Sequence, residues 1–292
     1  MHNILVPYDF NAQASLALDQ AIHLARKTGS GITLLYVNEL PGFVSALFSE
    51  KQDEELLEKI SDELDTVAAK ISIKSGIATD IKIQQGRVYS TILDVADEIM
   101  AGFIVMGTRS KDPLDKDRNP MVGRNTSRII RMATCPVITI GGNIHFEGCR
   151  SILLPLDLTR ETRQKVGWAI SMAKIYGAGI KMVSALWSVH DDDIVARLSA
   201  QMSIVQTHIE ESGVTCSSKI IETKTSEKTG VPSMLEYALN EGDIDLIIIM
   251  TQQESALVEF FIGSHAQEFI RNSSIPVMSV VPKDLSIPAA LQ

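Results

Sequence analysis

ILVPYD at residues 4–9 returns as ILLPLD at residues 152–157, an offset of 148. Each is a short apolar run closed by Pro-x-Asp, the pattern of a buried strand that ends in a polar turn. Outward from this pair the two copies stay in step. Gly29 and Gly31 precede ITLLYV as Gly177 and Gly179 precede IKMVSA, again 148 apart. FIVMGT (103–108) matches LIIIMT (246–251) at 143, and VGRNTSRIIRMATCPVITI (122–140) matches IGSHAQEFIRNSSIPVMSV (262–280) at 140. The matches keep their order while the offset falls in steps. Loop-length differences between two copies of one domain produce that pattern, whereas chance matches scatter.

Within a copy, strand and helix signals alternate. ILVPYD is a strand, and SLALDQAIHLARKTG (15–29) has apolar spacing of three and four, with Gly29 as its C-cap. ITLLYV (32–37) is a β-branched strand; 43–76 is helical with one charged side; IKIQQG (81–86) alternates. A helix over 90–102, the apolar strand FIVMG (103–107), a helix over 126–134 and the strand PVITI (136–140) complete the unit. This order predicts an α/β fold: two tandem doubly wound domains, each a five-stranded parallel sheet with helices on both faces. The domains are read as 1–141 and 150–281, with a linker at 142–149 and a tail at 282–292. The final strands PVITI and PVMSV (276–280) are expected to pair with each other as an internal pseudo-dimer, removing two exposed edges.

Net charge is −9, which opposes binding to nucleic acid or an anionic membrane, since both need a basic face. A basic pocket within one cleft stays compatible with that balance. The run around DLIIIM (245–250) is far too short to span a bilayer. MHNILVPYDF enters a strand at once, without the basic and apolar regions of a signal peptide, so a cytoplasmic protein is expected. Cys135, Cys149 and Cys216 form no CxxC pair, and no histidine cluster completes a metal site; packed, reduced thiols are expected.

Ligands of open parallel sheets bind beyond the carboxyl ends of the strands. Asp9, Val37 and Gly107 all fall on that edge in copy one. From Gly107 the chain runs through Arg109, Ser110 and Lys111 to Gly123, Arg124 and Asn125 at the start of a helix. Free N–H groups and the positive dipole end at a helix start suit a phosphate, and the arginines add charge-assisted donors. Asp9 is equally readable as the cap of the helix that follows it. There is no Gly-Lys-Ser/Thr as in a Walker loop, and the glycine run follows the fourth strand, unlike the Rossmann fingerprint.

Two domains of this order, opening with ILVPYD and closing with the glycine-bearing loop and CPV, resemble the universal stress protein family in its tandem form. The resemblance covers nearly the whole chain. It implies a fold like that of the adenine nucleotide alpha hydrolases, ATP held by the loop backbone where the motif Gly-x-x-Gly-x9-Gly-Ser/Thr is kept, and dimers formed through the last strand. Carried over to copy one, Pro7 and Asp9 stand beside the adenosine, the Val37 backbone meets the adenine, and Gly107, Arg109, Ser110, Gly123, Arg124 and Asn125 surround the phosphates. Ser110 replaces the second glycine and Arg124 the small hydroxyl, and the loop is longer than the pattern. In copy two Pro155 and Asp157 are present and Ala185 takes the place of Val37. Met250 and Gln253 replace both early glycines, while Gly263 and Ser264 keep their spacing, so this site reads as degenerate.

The leading expectation is therefore a binding protein acting in stress response or sensing, with ATP or a related adenine nucleotide in the N-terminal domain and a signalling partner the sequence does not name. A slow ATP hydrolase or phosphoryl-transfer enzyme using Asp9 and Mg²⁺ is the alternative from catalysis. A structural or interaction module with both sites degenerate is the third. No Ser-His-Asp order or paired-carboxylate motif nominates a catalyst. Whether chains associate further as a homodimer is left open. His190 to Asp193 read as an acidic helix start, His265 as an exposed residue, and 50–65 as a solvated acidic face.

Overall fold

The computed structural model describes residues 3–39, 50–108, 122–142, 148–156, 162–186, 192–223, 229–251 and 264–281. The first half runs β1 (Ile4–Pro7), α1 (Ala12–Thr28), β2 (Ile32–Asn38), α2 (Glu50–Ser75), β3 (Thr79–Gln85), α3 (Val88–Glu98), β4 (Phe103–Gly107), α4 (Arg124–Met132) and β5 (Val137–Ile140). The second half repeats it as β6 (Ser151–Pro155), α5 (Thr162–Tyr176), β7 (Gly179–Leu186), α6 (Asp192–Glu211), β8 (Cys216–Glu222), α7 (Val231–Glu241), β9 (Ile244–Met250), α8 (Ser264–Asn272) and β10 (Val277–Val280).

All these strands join one ten-stranded sheet, ordered β3-β2-β1-β4-β5-β10-β9-β6-β7-β8. Pairing is parallel within each half. At the centre β5 and β10 run antiparallel, with Val277 opposite Thr139, Met278 opposite Ile138 and Ser279 opposite Val137. This is the pairing the two PV-strands predicted. It also reverses strand direction between the halves, so their carboxyl edges lie at opposite ends of the sheet.

Alternation along each strand divides the core in two. Ile4, Val6, Ile152 and Leu154 face the α1, α2, α5 and α6 side with Leu24 and Met172. Leu5, Ile104, Leu153 and Ile247 face the α3, α4, α7 and α8 side with Ile129 and Ile270. Both cores run across the two halves without a break. Each fully buried aliphatic side chain contributes about 1.5–3 kcal/mol, so the halves stabilise each other. The ring of Trp168 on α5 also meets that of Phe103 on β4 edge-on, at 6.2 Å.

Helix limits shift modestly from the sequence reading. α1 begins at Ala12 because Asn11 caps it, its side-chain oxygen accepting from the Ala14 N–H at 2.7 Å. Gly29 closes it in the left-handed conformation, as expected. α3 ends at Glu98 rather than Gly102, because Met100 itself turns left-handed (φ 48°) and the Ala101 N–H reaches back to Ala96 O. α4 starts at Arg124, one residue past Gly123. α6 opens with Asp192 and Asp193, the acidic first turn that the sequence suggested. Among the described residues no helix is long and apolar enough to cross a membrane.

Candidate functional site

The strand order reverses at β1, which lies between β2 and β4. β1 pairs with β2 as far as Pro7, opposite Leu35, but its ladder with β4 holds only Ile4 and Leu5. Beyond Leu5 the two strands part, and the crevice of the first half opens there, at the carboxyl edge. Pro7 ends β1, half-buried, and Asp9 stands exposed just beyond it. Val37 near the end of β2 is half-buried against the α3–α4 side of the core, and Gly107 ends β4. The topology thus brings Pro7, Asp9, Val37 and Gly107 to one edge. Arg109 and Ser110 lie outside the described residues.

The turn after β1 is tightly organised. Asp9 accepts from the Asn11 backbone N–H at 3.3 Å and its side-chain amide at 2.9 Å. Of its two readings, the capping one passes to Asn11: Asp9 supports the cap and does not make it. Between them Phe10 adopts φ 62°, a left-handed conformation that is costly for a bulky residue. Its ring meets Tyr8 edge-on at 5.1 Å and Tyr36 at 6.1 Å, and these contacts hold the strained turn. Nothing local in the sequence marks this trio, because it depends on β1 and β2 being neighbours.

Gly107 is explained by a close approach. A Cβ there would lie 2.8 Å from Cβ of Gln13, so the first turn of α1 packs directly on the bare backbone of β4. Gly123 is the N-cap of α4 and carries no side-chain cap. Its own N–H donates to Thr108 O at 3.1 Å, and the Thr126 hydroxyl donates to the same carbonyl at 3.3 Å. Buried Thr108, whose N–H donates to Ile140 O, therefore ties the start of α4 to the end of β4. The sequence reading passed over Thr108, although it follows Gly107 directly. The backbone N–H groups of Arg124, Asn125 and Thr126 form the first turn, where an α-helix leaves them unpaired within the helix. Arg124 is exposed there and Asn125 half-buried. The Arg128 guanidinium lies over the Tyr89 ring at 4.6 Å and fastens α4 to α3.

The second half repeats the parting. β6 pairs with β7 through Pro155 but with β9 only as far as Leu153. Ala185 near the end of β7 and Met250 at the end of β9 are half-buried, and Ser264 opens α8. Asp157, Gln253 and Gly263 lie outside the described residues. Burial pushes the Cys135 thiol up to about 11 and those of Cys149 and Cys216 up to about 12, so all three stay protonated at neutral pH. Among the described residues no three His, Cys, Asp or Glu side chains gather as metal ligands.

The sequence profile of the Universal stress protein family matches residues 1–141 and again residues 148–281. The chain belongs to that family. A universal stress protein of Synechocystis sp. is 22% identical over 300 residues, covering 96% of this chain and 99% of its own length. One of Methanocaldococcus jannaschii is 27% identical over 139 residues, covering 47% of this chain and 80% of itself. Among solved structures, a universal stress protein of Archaeoglobus fulgidus superposes with a TM-score of 0.75 at 18% identity, covering 97% of each chain. That superposition reproduces the fold of this tandem universal stress protein along nearly its whole length.

Proposed function

We propose that the N-terminal domain holds an adenine nucleotide in the crevice between β1 and β4, and that the chain acts as a binding protein in stress response or sensing. The observation that carries this reading is the parting of β1 from β4 with the uncapped first turn of α4 anchored beside it through Thr108. That turn supplies backbone N–H groups and a positive dipole end for phosphates, with Arg124 as a nearby cation. Pro7, Asp9 and Val37 occupy the positions that the family resemblance gives to the adenosine. Arg109 and Ser110 complete the phosphate side in this proposal. Family dimers pair their last strands; here β5 and β10 make that pairing within one chain.

The test is thermal unfolding with and without ATP. Ligand at about 100 times Kd stabilises by roughly 2.7 kcal/mol, a readily measured rise in Tm. Wild type should show the rise. Gly123→Val, which puts bulk 3.3 Å from Thr108 O and over the first turn of α4, should lose it, and Gly263→Val should keep it. No rise for wild type at millimolar ATP rejects the proposal. Slow hydrolysis is the competing reading. Equal ADP release by wild type and Asp9→Ala in the presence of Mg²⁺ removes Asp9 from any catalytic role.

A further inference from the structure

The sequence reading placed the degeneracy of the second domain in its phosphate loop, at Met250 and Gln253. The structure shows a further difference, at the end of β6. Lys165 lies in α5, only 6% exposed, and its Nζ donates to Pro155 O at 2.5 Å. Pro155 is the last residue of β6, two residues past the point where β6 leaves β9. The lysine head therefore reaches the strand-end carbonyl at the mouth of the second crevice.

The repeat shows what the first domain has there. At the offset that aligns Ile4 with Ile152, Pro155 corresponds to Pro7 and Lys165 to Ala17. The surrounding helix face is otherwise matched: Ala21 with Ala169, Leu24 with Met172 and Ala25 with Ala173 are all buried. Alanine satisfies this packing in α1, where Ala17 is fully buried. Packing alone thus gives no reason for a long cation at the same place, and burying an ammonium group is unfavourable unless polar atoms meet it. The Pro155 carbonyl is one such atom, and reaching it brings the ammonium group to the strand end where β6 has left β9.

A second difference lies near the end of β7. α3 and α7 both start with valine, and the residues before them are Arg87 and Gly230. A Cβ on Gly230 would stand 2.5 Å from Cβ of Ala185, so the start of α7 rests directly on Ala185. Ala185 is the counterpart of Val37. The close approach needs small residues on both sides, and the chain has them at both positions.

We propose that Lys165 is the internal occupant of the second crevice: its side chain fills the strand-end position that an adenosine takes in the first domain, so one chain holds one adenine nucleotide. This rests on the adenine-nucleotide reading of the first crevice for the nature of the ligand.

Native mass spectrometry of the full chain with AMP tests it. AMP is the right probe because it lacks the outer phosphates that Met250 and Gln253 would meet. Wild type should bind one AMP and Lys165→Ala two. Copy one carries alanine at this position, so the variant is expected to fold, and circular dichroism checks that it does. The reciprocal Ala17→Lys should bind none; if it fails to fold, Lys165→Ala alone decides. Two AMP on wild type, or no gain in folded Lys165→Ala, overturns the inference. No AMP on wild type with one on Lys165→Ala would instead reject the assignment of the first crevice and keep the role of Lys165.

Discussion

Gly107→Ala isolates the contact that fixes the first crevice. The added Cβ would sit 2.8 Å from Gln13 Cβ, 3.3 Å from its Oε1 and 3.4 Å from its backbone carbonyl carbon. The Oε1 atom can swing away, but the Cβ and backbone of Gln13 move only with α1. Overpacking of this kind costs about 1–3 kcal/mol, while replacing glycine by alanine returns about 0.4–1 kcal/mol through the unfolded chain. At mid-range the two leave a net loss of about 1.3 kcal/mol. At roughly 2–4 °C per kcal/mol for a chain of this class, calorimetry should show Tm falling by several degrees. Gly167→Ala is the matched control. Gly167 is exposed within α5, and a Cβ there meets nothing within 4 Å. It should gain about 0.8–1 kcal/mol from helix propensity. The same shift of α1 should also shrink the ATP-dependent rise in Tm of Gly107→Ala. Unchanged or increased stability in Gly107→Ala would refute the close packing of α1 on β4.

Three further outcomes are expected. The carbonyls of Pro276 and Val280 accept from the N–H groups of Ile247 and Thr251 on the β9 side, so the Ser279 amide faces β5, and Ser279→Pro should break the junction and split one calorimetric transition into two. Burial opposes ionisation of Asp243, but hydrogen bonds from Lys181 and Ser151 prevail and hold its pKa below 3.8; its stabilisation is present above the unfolded value and lost as pH falls through the lower folded one, so Asp243→Asn should flatten the acid limb of a urea-midpoint profile. The three cysteines should react slowly with a thiol reagent at neutral pH and quickly after unfolding, because burial raises all their pKa values.

The repeat made the fold legible before any coordinates. Offsets that step from 148 to 140 preserve element order, and parallel βαβ units leave few ways to arrange such an order. Helix limits were less legible: the Asn11 side chain sets the start of α1, and the left-handed backbone of Met100 ends α3 before Gly102. The candidate site was legible as positions on one edge, since Gly107 ends β4, Val37 lies one residue before the end of β2 and Asp9 lies just past β1. What each does there was not. The reason for Gly107 is Gln13, far away in sequence, and the significance of Lys165 appears only when its head is seen at Pro155. Periodicity marks Lys165 as one more residue on a helix; only the fold turns it into a group at a crevice.

The antiparallel junction has a last consequence, in assembly. Two separate subunits that pair their final strands depend on concentration to stay together. Joined in one polypeptide, β5 and β10 meet at a high effective concentration however dilute the protein becomes. The partnership then no longer relies on ligand or abundance. Because strand direction reverses at the seam, the two crevices open at opposite ends, and neither obstructs the other. Fusion therefore frees each copy to vary at its own strand ends without dissolving the pair, and the sequence differences between Ala17 and Lys165, or Val37 and Ala185, are variation of that permitted kind.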